Sequence, residues 1–479
     1  MTSSEKIPSG SNGAPGGISA PRLSLKEKIG YSAGDAASNL YFQIFVVFLP
    51  IFYTDVFGLP AAAMGTMFLV ARIWDAITDP VMGMIADNTN SRWGKFRPYI
   101  ITMALPLAVV GVLTFTTPGY GVMGKLIYAY ITYILLMMMY TAVNVPYSAL
   151  MAVMTPNSLE RTEVSSFRFV AAFAGQVVVG AATLGLVAYL GRGNEQAGWQ
   201  MTMVVYGILA VLLFSVTFAS TRERVLPPKE QKSNIRQDLK ELVKNRPWLL
   251  IAFATVFQLI YIVMRGSSTP YYFRYYVLDQ QIVLFGQTVN LTYAAFTSSF
   301  VTVGTIATLV GAILTKFFSK NIDKKNVYSG FLIASAFFSC FFYFLQPGNV
   351  VLMFLLNILV SFFFGSVSVL QWAIYTDTAD YGEWKSGRRA TGLVMAASLF
   401  ALKLGLTFGG AFVGWILGLF NFVPLTIQTP ETVTGIRLLM SFFPAVFGLA
   451  GGLIMLAYPL TNARMVSIEK DLTSRRSKV

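Results

Sequence analysis

Two carboxylates and an arginine lie in the middle of an apolar stretch of this sequence. The stretch runs from about Ala61 to Ala86, long enough to cross a bilayer as a helix, and contains Arg72, Asp75 and Asp79. Spacings of three and four residues would place these side chains on one helix face. Ionisable groups at membrane depth are costly unless they face a polar interior, so they are candidates for function. Their net negative charge suits a small cation, and we expect the rest of the chain to be built around this helix.

The composition indicates a membrane protein. Of 479 residues, 55% are hydrophobic and only 12% are charged, whereas soluble domains carry about 25% charged residues. The apolar residues form long unbroken runs, as in transmembrane helices, without the alternating segments of a membrane β-barrel. We therefore predict an all-α membrane protein of twelve transmembrane helices in two six-helix bundles.

The net charge of +14 is distributed unevenly along the chain. Lysine and arginine gather in every second connection between apolar runs and in both tails, as the positive-inside rule describes. We expect a multi-pass protein of the cell (inner) membrane with both termini in the cytoplasm and no nucleic-acid partner. The sequence has no histidine and only one cysteine, Cys340, which argues against a usual zinc site and excludes an internal disulfide.

The two halves of the sequence repeat each other's pattern, which is typical of two bundles that rock around a central site. The expected regions are a disordered N-terminal tail (1–28), an N-terminal bundle (29–221), a central loop (222–247), a C-terminal bundle (248–460) and a C-terminal tail (461–479). The sequence lacks a Walker-type phosphate loop and a nucleophile constellation. We therefore expect no enzyme activity and no cofactor, and energy from an ion gradient.

Several motifs resemble a known family. Gly83 to Asp87, followed by Arg92 to Arg97, resembles the loop between the second and third helices of the major facilitator superfamily. More narrowly, four stretches resemble the glycoside–pentoside–hexuronide:cation symporters, whose best-known member is the melibiose permease: Tyr53 to Gly58, Ala71 to Pro80, Ser91 to Pro98 and Asp377 to Trp384. The match runs from about Leu25 to Leu460. It implies a major facilitator fold that imports a glycoside, pentoside or uronide by alternating access, driven by Na⁺ or H⁺.

The resemblance implies a cation site on the second helix. Asp75 and Asp79 match the family's cation-binding aspartates, and Thr141 matches a hydroxyl ligand on the fourth helix. Thr78 stands where sodium-coupled relatives can carry asparagine, so the choice between Na⁺ and H⁺ stays open. If the ion is sodium, Asp75 and Asp79 are the expected metal ligands. The alternative is that the aspartates pair with Arg72 and Lys403 and only hold helices together.

The resemblance also implies sugar-binding positions. Asn39 and Asn144 align with aspartates that bind sugar hydroxyls in the melibiose permease pattern, and the change to asparagine argues against the same galactoside specificity. The alternative is that these amides hydrogen-bond across helices. The family's stacking tryptophan is not matched, so Tyr147 and Trp372 are substitute aromatic groups. Core or interface roles for both are equally open.

Three basic residues complete the expected substrate site. Arg168 opens the fifth helix, and Lys403 matches a family lysine that can neutralise one carboxylate of the aspartate pair. Arg265 has no family counterpart. Nearby glycine and proline would permit a broken helix that lines a cavity, where Arg265 would bind a uronide carboxylate. Alternatively, it snorkels or pairs with a structural acid.

The loop motifs are interpreted as gates. Arg92, Lys95 and Arg97 are expected to pair with Asp380 or Glu383 when the site opens outward. The alternative is that the basic residues serve topology alone.

The expected partners are a small-molecule glycoside, Na⁺ or H⁺, and the lipid bilayer, without an obligate protein partner. Two other functions stay open. One is a transporter of a non-sugar cargo such as a lysolipid or drug, and the other is a non-transporting membrane sensor of the same fold. Asp55, at the outer end of the first span, is interpreted as a solvated helix end.

Overall fold

The computed structural model describes residues 22–155, 158–224, 242–284, 287–387 and 391–476. Within these ranges, twelve helices are long and apolar enough to cross a membrane. They are α1 (Leu25–Val56), α2 (Ala61–Asn88), α3 (Arg97–Thr114), α4 (Val122–Met154), α5 (Glu163–Gly191), α6 (Glu195–Ser220), α7 (Arg246–Val277), α8 (Tyr293–Asn321), α9 (Lys324–Phe344), α10 (Val350–Ser386), α11 (Leu393–Leu419) and α12 (Pro430–Leu456). The prediction of an all-α, twelve-helix membrane protein is confirmed.

Three further features complete the architecture. The helices that contain α5 and α11 begin at Ser158 and Thr391. An antiparallel hairpin of β1 (Gln280–Leu284) and β2 (Gln287–Leu291) joins α7 to α8. A final helix, α13 (Asn462–Arg476), packs against α10.

Polar residues extend two helices beyond their apolar runs. Helix α1 begins at Leu25, inside the stretch expected to be a disordered tail, because Ser24 and Glu27 form a reciprocal capping box. Helix α10 continues to Ser386, through the motif Asp377 to Trp384. It ends at Gly387, whose φ of 71° provides the left-handed turn that glycine adopts without strain. Both helices therefore extend beyond their apolar residues.

The first helix of each half ends in the same unusual way. Helix α1 closes with a five-residue π turn at Phe52–Val56, and α7 closes with another at Phe273–Val277. Such turns are rare and are often found at functional sites. Their matching positions agree with the sequence repeat between the halves.

The helix break that glycine and proline would permit near Arg265 does not occur. The α-helix is continuous from Arg246 to Tyr272, with Pro270 inside it. The hydroxyls of Ser268 and Thr269 both donate to the carbonyl oxygen of Arg265, at 3.0 and 2.9 Å. Both hydroxyls therefore bond within their own helix, and proline is tolerated inside membrane helices.

The buried apolar residues form two main clusters. One is built from residues between Leu23 and Phe214, and the other mainly from residues between Ile251 and Leu472. Between these clusters, α2 packs along α11 and α5 packs along α8. The acidic helix α2 therefore lies at the boundary between the two halves.

Candidate cation and substrate site

The acid pair on α2 is engaged with basic partners. An Nη of Arg72 donates to Asp75 Oδ2 at 3.1 Å, one turn away on the same helix. Asp75 is only 2% exposed, and its Oδ1 is buried without a hydrogen-bond partner among the described residues. The hydroxyl of Thr78 donates to the backbone carbonyl of Asp75 at 3.4 Å. Thr78 therefore contacts its own helix rather than either carboxylate.

Asp79 joins three helices. The hydroxyl of Thr141 on α4 donates to Asp79 Oδ1 at 2.8 Å, and the ammonium of Lys403 on α11 contacts Asp79 Oδ2. Lys403 belongs to the opposite half of the molecule, so this ion pair crosses the boundary between halves. Carboxylate and hydroxyl oxygens are ligands that hard cations prefer. The cluster therefore offers oxygen ligands to a cation. The ammonium of Lys403 already contacts one of these oxygens, Asp79 Oδ2.

The two intramembrane asparagines link helices. Asn39 Oδ1 on α1 accepts from Gln176 Nε2 on α5 at 2.8 Å. Asn144 Oδ1 on α4 accepts from Ser38 Oγ on α1 at 2.7 Å. These are the cross-helix bonds of the alternative interpretation. They also place both amides on polar surfaces that α1 shares with α4 and α5, so a sugar-binding role stays a prediction.

Arg168 and Tyr147 converge on a carboxylate that the sequence analysis overlooked. Arg168 on α5 donates to both oxygens of Asp35 on α1, at 2.5 and 3.2 Å. The hydroxyl of Tyr147 donates to the same carboxylate at 2.6 Å. Asp35 lies one helical turn before Asn39 in an otherwise uncharged part of α1. The rule that an intramembrane acid is a functional candidate could have identified it.

Trp372 and Arg265 lie in the C-terminal half. Trp372 on α10 is half-buried, with its ring centroid 6.2 Å from that of the buried Tyr375. Arg265 is 4% exposed and donates to Asn357 Oδ1 at 3.0 Å. Its guanidinium also lies 5.8 and 5.0 Å from the ring centroids of two phenylalanines on α8 and α9. These contacts do not bring Arg265 to the amides of α1 and α4.

Comparison with known proteins identifies the family. A family model described as MFS/sugar transport protein matches residues 30–462. The chain belongs to this family. The inner membrane symporter YicJ of Escherichia coli (strain K12) is 36% identical over 458 residues, covering 95% of this chain and 96% of that protein. The isoprimeverose transporter of Lactiplantibacillus pentosus is 35% identical over 429 residues, covering 88% and 86%.

A solved structure shows the same fold. It is a bacterial homologue of the human lysosomal transporter Spinster, in an inward-facing and occupied conformation, with a TM-score of 0.64 and 14% identity. The match covers 91% of this chain and 95% of that one. The predicted major facilitator fold and the family resemblance are confirmed, and the chain is a multi-pass membrane transport protein.

One face of the transporter, which we call the terminal face, contains the start of α1 and the α2–α3 connection. There Glu223, just after α6, accepts backbone N–H bonds from Lys95, Phe96 and Arg97 at 2.8, 2.8 and 3.0 Å. Gly94, with φ of 108°, makes the turn, and a Cβ there would lie 2.4 Å from this carboxylate. The basic motif is thereby bound to its own half.

The basic residues of the expected gate contact groups in their own half. An Nη of Arg97 donates to Phe218 O at 2.7 Å, and Lys95 Nζ donates to Asp87 O at 3.1 Å. The guanidinium of Arg92 lies over the Trp93 ring. Asp380 and Glu383 lie on the last turns of α10. Pairing between these acidic and basic residues when the site opens outward stays a prediction.

At the opposite end, which we call the distal face, α1 and α7 meet through Asp55. Tyr275 on α7 donates to Asp55 Oδ2 at 2.6 Å, and Arg274 lies 3.4 Å from the same oxygen. Arg274 also donates to Glu195 on α6 at 3.2 Å. The Asp55 side chain is 0% exposed, so its interpretation as a solvated helix end is wrong. Hydrophobicity alone could not show that Asp55, which lies in the π turn of α1, would be buried against the π turn of α7.

Proposed function

We propose that the protein is a sugar:cation symporter that imports its substrate by alternating access, driven by a gradient of Na⁺ or H⁺. Its membership of the sugar transport family supports a sugar cargo. The names of relatives as a symporter and an isoprimeverose transporter support ion coupling and a glycoside substrate. The Lys/Arg-rich terminal face would be cytoplasmic, with the protein in the cell (inner) membrane.

The ion pair between Asp79 and Lys403 is the observation that carries this proposal. It joins α2 of one half to α11 of the other and lies beside the Arg72–Asp75 pair. A cation or proton at Asp79 would compete with the ammonium of Lys403. Binding of the ion would therefore change a contact between the halves, which is what coupling to alternating access requires.

The sugar would bind where α1, α4 and α5 present Asn39, Asn144, Tyr147 and Arg168. Amide, hydroxyl and guanidinium groups match the hydroxyls of a sugar. Thr141 and Asn144 lie three residues apart on α4, within one helical turn, so α4 contributes to both the cation site and the sugar site. Each ligand would thereby raise the affinity for the other. The proposal needs no cofactor beyond the coupling ion and no catalytic step.

The test is gradient-driven uptake by purified protein in proteoliposomes. A panel of radiolabelled glycosides, including isoprimeverose, would be offered with a Na⁺ gradient, with a proton gradient, or with neither. We expect concentrative uptake of at least one glycoside under one gradient. Asp79→Asn should reduce it by about a hundredfold, since neutralising the ion site removes the coupling energy but not the sugar contacts. Counterflow, which needs no gradient, should fall less.

The matched control is Asp279→Asn, which changes an exposed carboxylate in the α7–α8 connection. Normal uptake by this control with loss in Asp79→Asn supports the proposal. Full concentrative uptake by Asp79→Asn would show that Asp79 is not part of the ion site. If no sugar moves but a lysolipid or drug does, the cargo is of another class. A protein that folds and moves nothing would be a sensor.

A further inference from the structure

A cavity near the distal face lies between the two halves of the molecule. Its volume is about 100 Å³, and it is lined by α1, α5 and α6 of the N-terminal half and by α7 and α8 of the C-terminal half. Helices α1 and α7 also make the contacts that close this face, including the hydrogen bond from Tyr275 to Asp55. The walls of the cavity therefore come from both halves, and they would separate when the distal face opens.

The inner wall of the cavity is apolar and aromatic. Trp199, which is 3% exposed, lies in this wall together with the buried residues Ile51 and Pro270. The ring of Phe115 stacks on the indole with 5.7 Å between centroids, so the indole is held in place by its own packing. Benzene binds in an apolar protein cavity of roughly 150 Å³. The inner wall therefore suits an apolar group no larger than one aromatic ring.

The mouth of the cavity is acidic. Two exposed residues line it, Ala188 near the end of α5 and Glu195 at the start of α6. Arg274 donates to one oxygen of Glu195 at 3.2 Å and lies 3.4 Å from a carboxylate oxygen of Asp55. One guanidinium thus serves two carboxylates. The second oxygen of Glu195 has no hydrogen-bond partner in the part of the chain that the structure describes, and this side chain is 45% exposed.

We propose that this cavity is an inhibitory site for a small organic cation that carries one aromatic ring. The ring would pack on Trp199, and an ammonium group would bind the second oxygen of Glu195 at the mouth. Hydrogen bonds between charged groups are stronger than those between neutral groups, and the excess of carboxylates disfavours an anion at the same position.

Binding in this cavity has a consequence for transport. Because both halves line the cavity only while the distal face is closed, the ligand binds that conformation preferentially and stabilises it. A molecule held in this conformation cannot complete a transport cycle. This consequence rests on alternating access in the proposed function, whereas binding itself does not.

Three ligands with the same phenylethyl group test the chemistry of the site. They are 2-phenylethylammonium, which is a cation, 2-phenylethanol, which is neutral, and 3-phenylpropionate, which is an anion. Calorimetric titration of the purified protein in nanodiscs gives Kd, with protein-free nanodiscs as the blank. We expect the cation to bind about tenfold more tightly than the alcohol, and the anion to bind most weakly. In proteoliposomes, saturating cation should slow sugar counterflow by about tenfold or more.

Matched variants separate this site from general effects of an amphipathic cation on the bilayer. Ala188→Phe places a ring in the mouth and should weaken binding of the cation by about tenfold or more. Ala181→Phe changes another exposed alanine of α5, about two helical turns away, and should bind the cation as the wild-type protein does. Glu195→Gln should bring the affinities for cation and alcohol close together, because the charge at the mouth distinguishes them. This ratio does not depend on how often the distal face is closed.

The possible results bear on different parts of the inference. Equal affinities of the wild-type protein for the cation and the alcohol, or unchanged binding in Ala188→Phe, would overturn the site. Tight binding of the cation without slower counterflow would overturn its inhibitory role. If no glycoside is transported at all, the proposed function fails and the inhibitory role fails with it, but the calorimetric titration still decides whether the cavity binds the cation.

Discussion

The carboxylates of this transporter differ in the groups they bind. Asp35, Asp75 and Asp79 bind basic side chains in the interior, where an unpaired charge would be costly. Glu223 instead accepts three consecutive backbone N–H groups at the start of α3. Arg97 is the first residue of α3, and its N–H is among those that a helix start leaves unsatisfied, whereas Lys95 and Phe96 lie just before the helix. An acidic side chain can therefore serve charge balance at one position and backbone capping at another.

Removal of the Glu223 cap should destabilise the N-terminal half. We expect Glu223→Ala to lower the free energy of unfolding by about 2 kcal/mol, since charge-assisted hydrogen bonds are lost but the partly exposed N–H groups can bind water. Thermal unfolding of the detergent-solubilised protein would show a lower Tm. Glu469→Ala changes an exposed glutamate of α13 and should leave Tm unchanged. Equal Tm values for the two variants would mean that the cap contributes nothing.

At the scale of helices, close packing of α2 on α11 brings the ion site together. A Cβ on Gly414 would lie 2.5 Å from the carbonyl oxygen of Ala61, and one on Gly65 would lie 2.6 Å from that of Ala411. Small residues let membrane helices approach each other closely. The same pair of helices carries Asp79 and Lys403, so their spacing controls this ion pair.

Gly414→Ala should therefore separate the two helices. We expect a loss of about 1–3 kcal/mol from overpacking, together with slower sugar counterflow. Gly185→Ala provides the control, because a Cβ on this exposed glycine of α5 would meet nothing within 4 Å. Alanine has the higher helix propensity, so the control should be neutral or slightly stabilising. Wild-type Tm and counterflow in Gly414→Ala would show that the helices tolerate a wider spacing.

At the scale of the whole molecule, the distal face holds the two halves together. Besides Asp55 and its partners, Thr54 and Tyr271 share a hydrogen bond of 2.9 Å between their hydroxyls. Ser267 donates to the backbone carbonyl of Val46 at 2.5 Å. All of these bonds connect α1 to α7. Alternating access would require them to break when the distal face opens.

Arg274→Ala should favour opening of the distal face. The substitution leaves Asp55 buried without its cation only while this face is closed, so the closed state alone is destabilised. We expect the ratio of open to closed molecules to rise by about tenfold or more. Spin labels would be placed at Arg192 and Leu425, two exposed distal positions on opposite halves. The distance distribution between the labels should then contain a larger fraction of long distances. Labelling requires Cys340→Ser.

A control separates this effect from general loss of ion pairs. Lys324→Ala breaks the 2.8 Å pair with Asp377 inside the C-terminal half and should leave the distance distribution unchanged. If Arg274→Ala also leaves it unchanged, the Asp55–Arg274 pair does not hold the distal face closed.

The sequence by itself determined the class of fold and the helices that carry the site. A hydrocarbon environment requires long apolar helices. The hydrophobic pattern therefore predicted twelve spans, with Arg72, Asp75 and Asp79 inside one of them. Motifs predicted the family. Spacing on one helix also predicted that Arg72 and Asp75 would meet, since residues three apart share a face.

Only the tertiary structure decided which charges pair between helices. The resemblance already implied that Lys403 neutralises one carboxylate of the aspartate pair, and the structure shows that this carboxylate is Asp79. The pairs of Asp35 with Arg168 and of Asp55 with Arg274, each between distant helices, were not predicted. Helix periodicity fixes the face that a residue occupies but not which helix covers that face. Packing of α2 on α11 and of α1 on α5 and α7 supplied the partners, because a charge in the membrane is costly and an opposite charge reduces that cost.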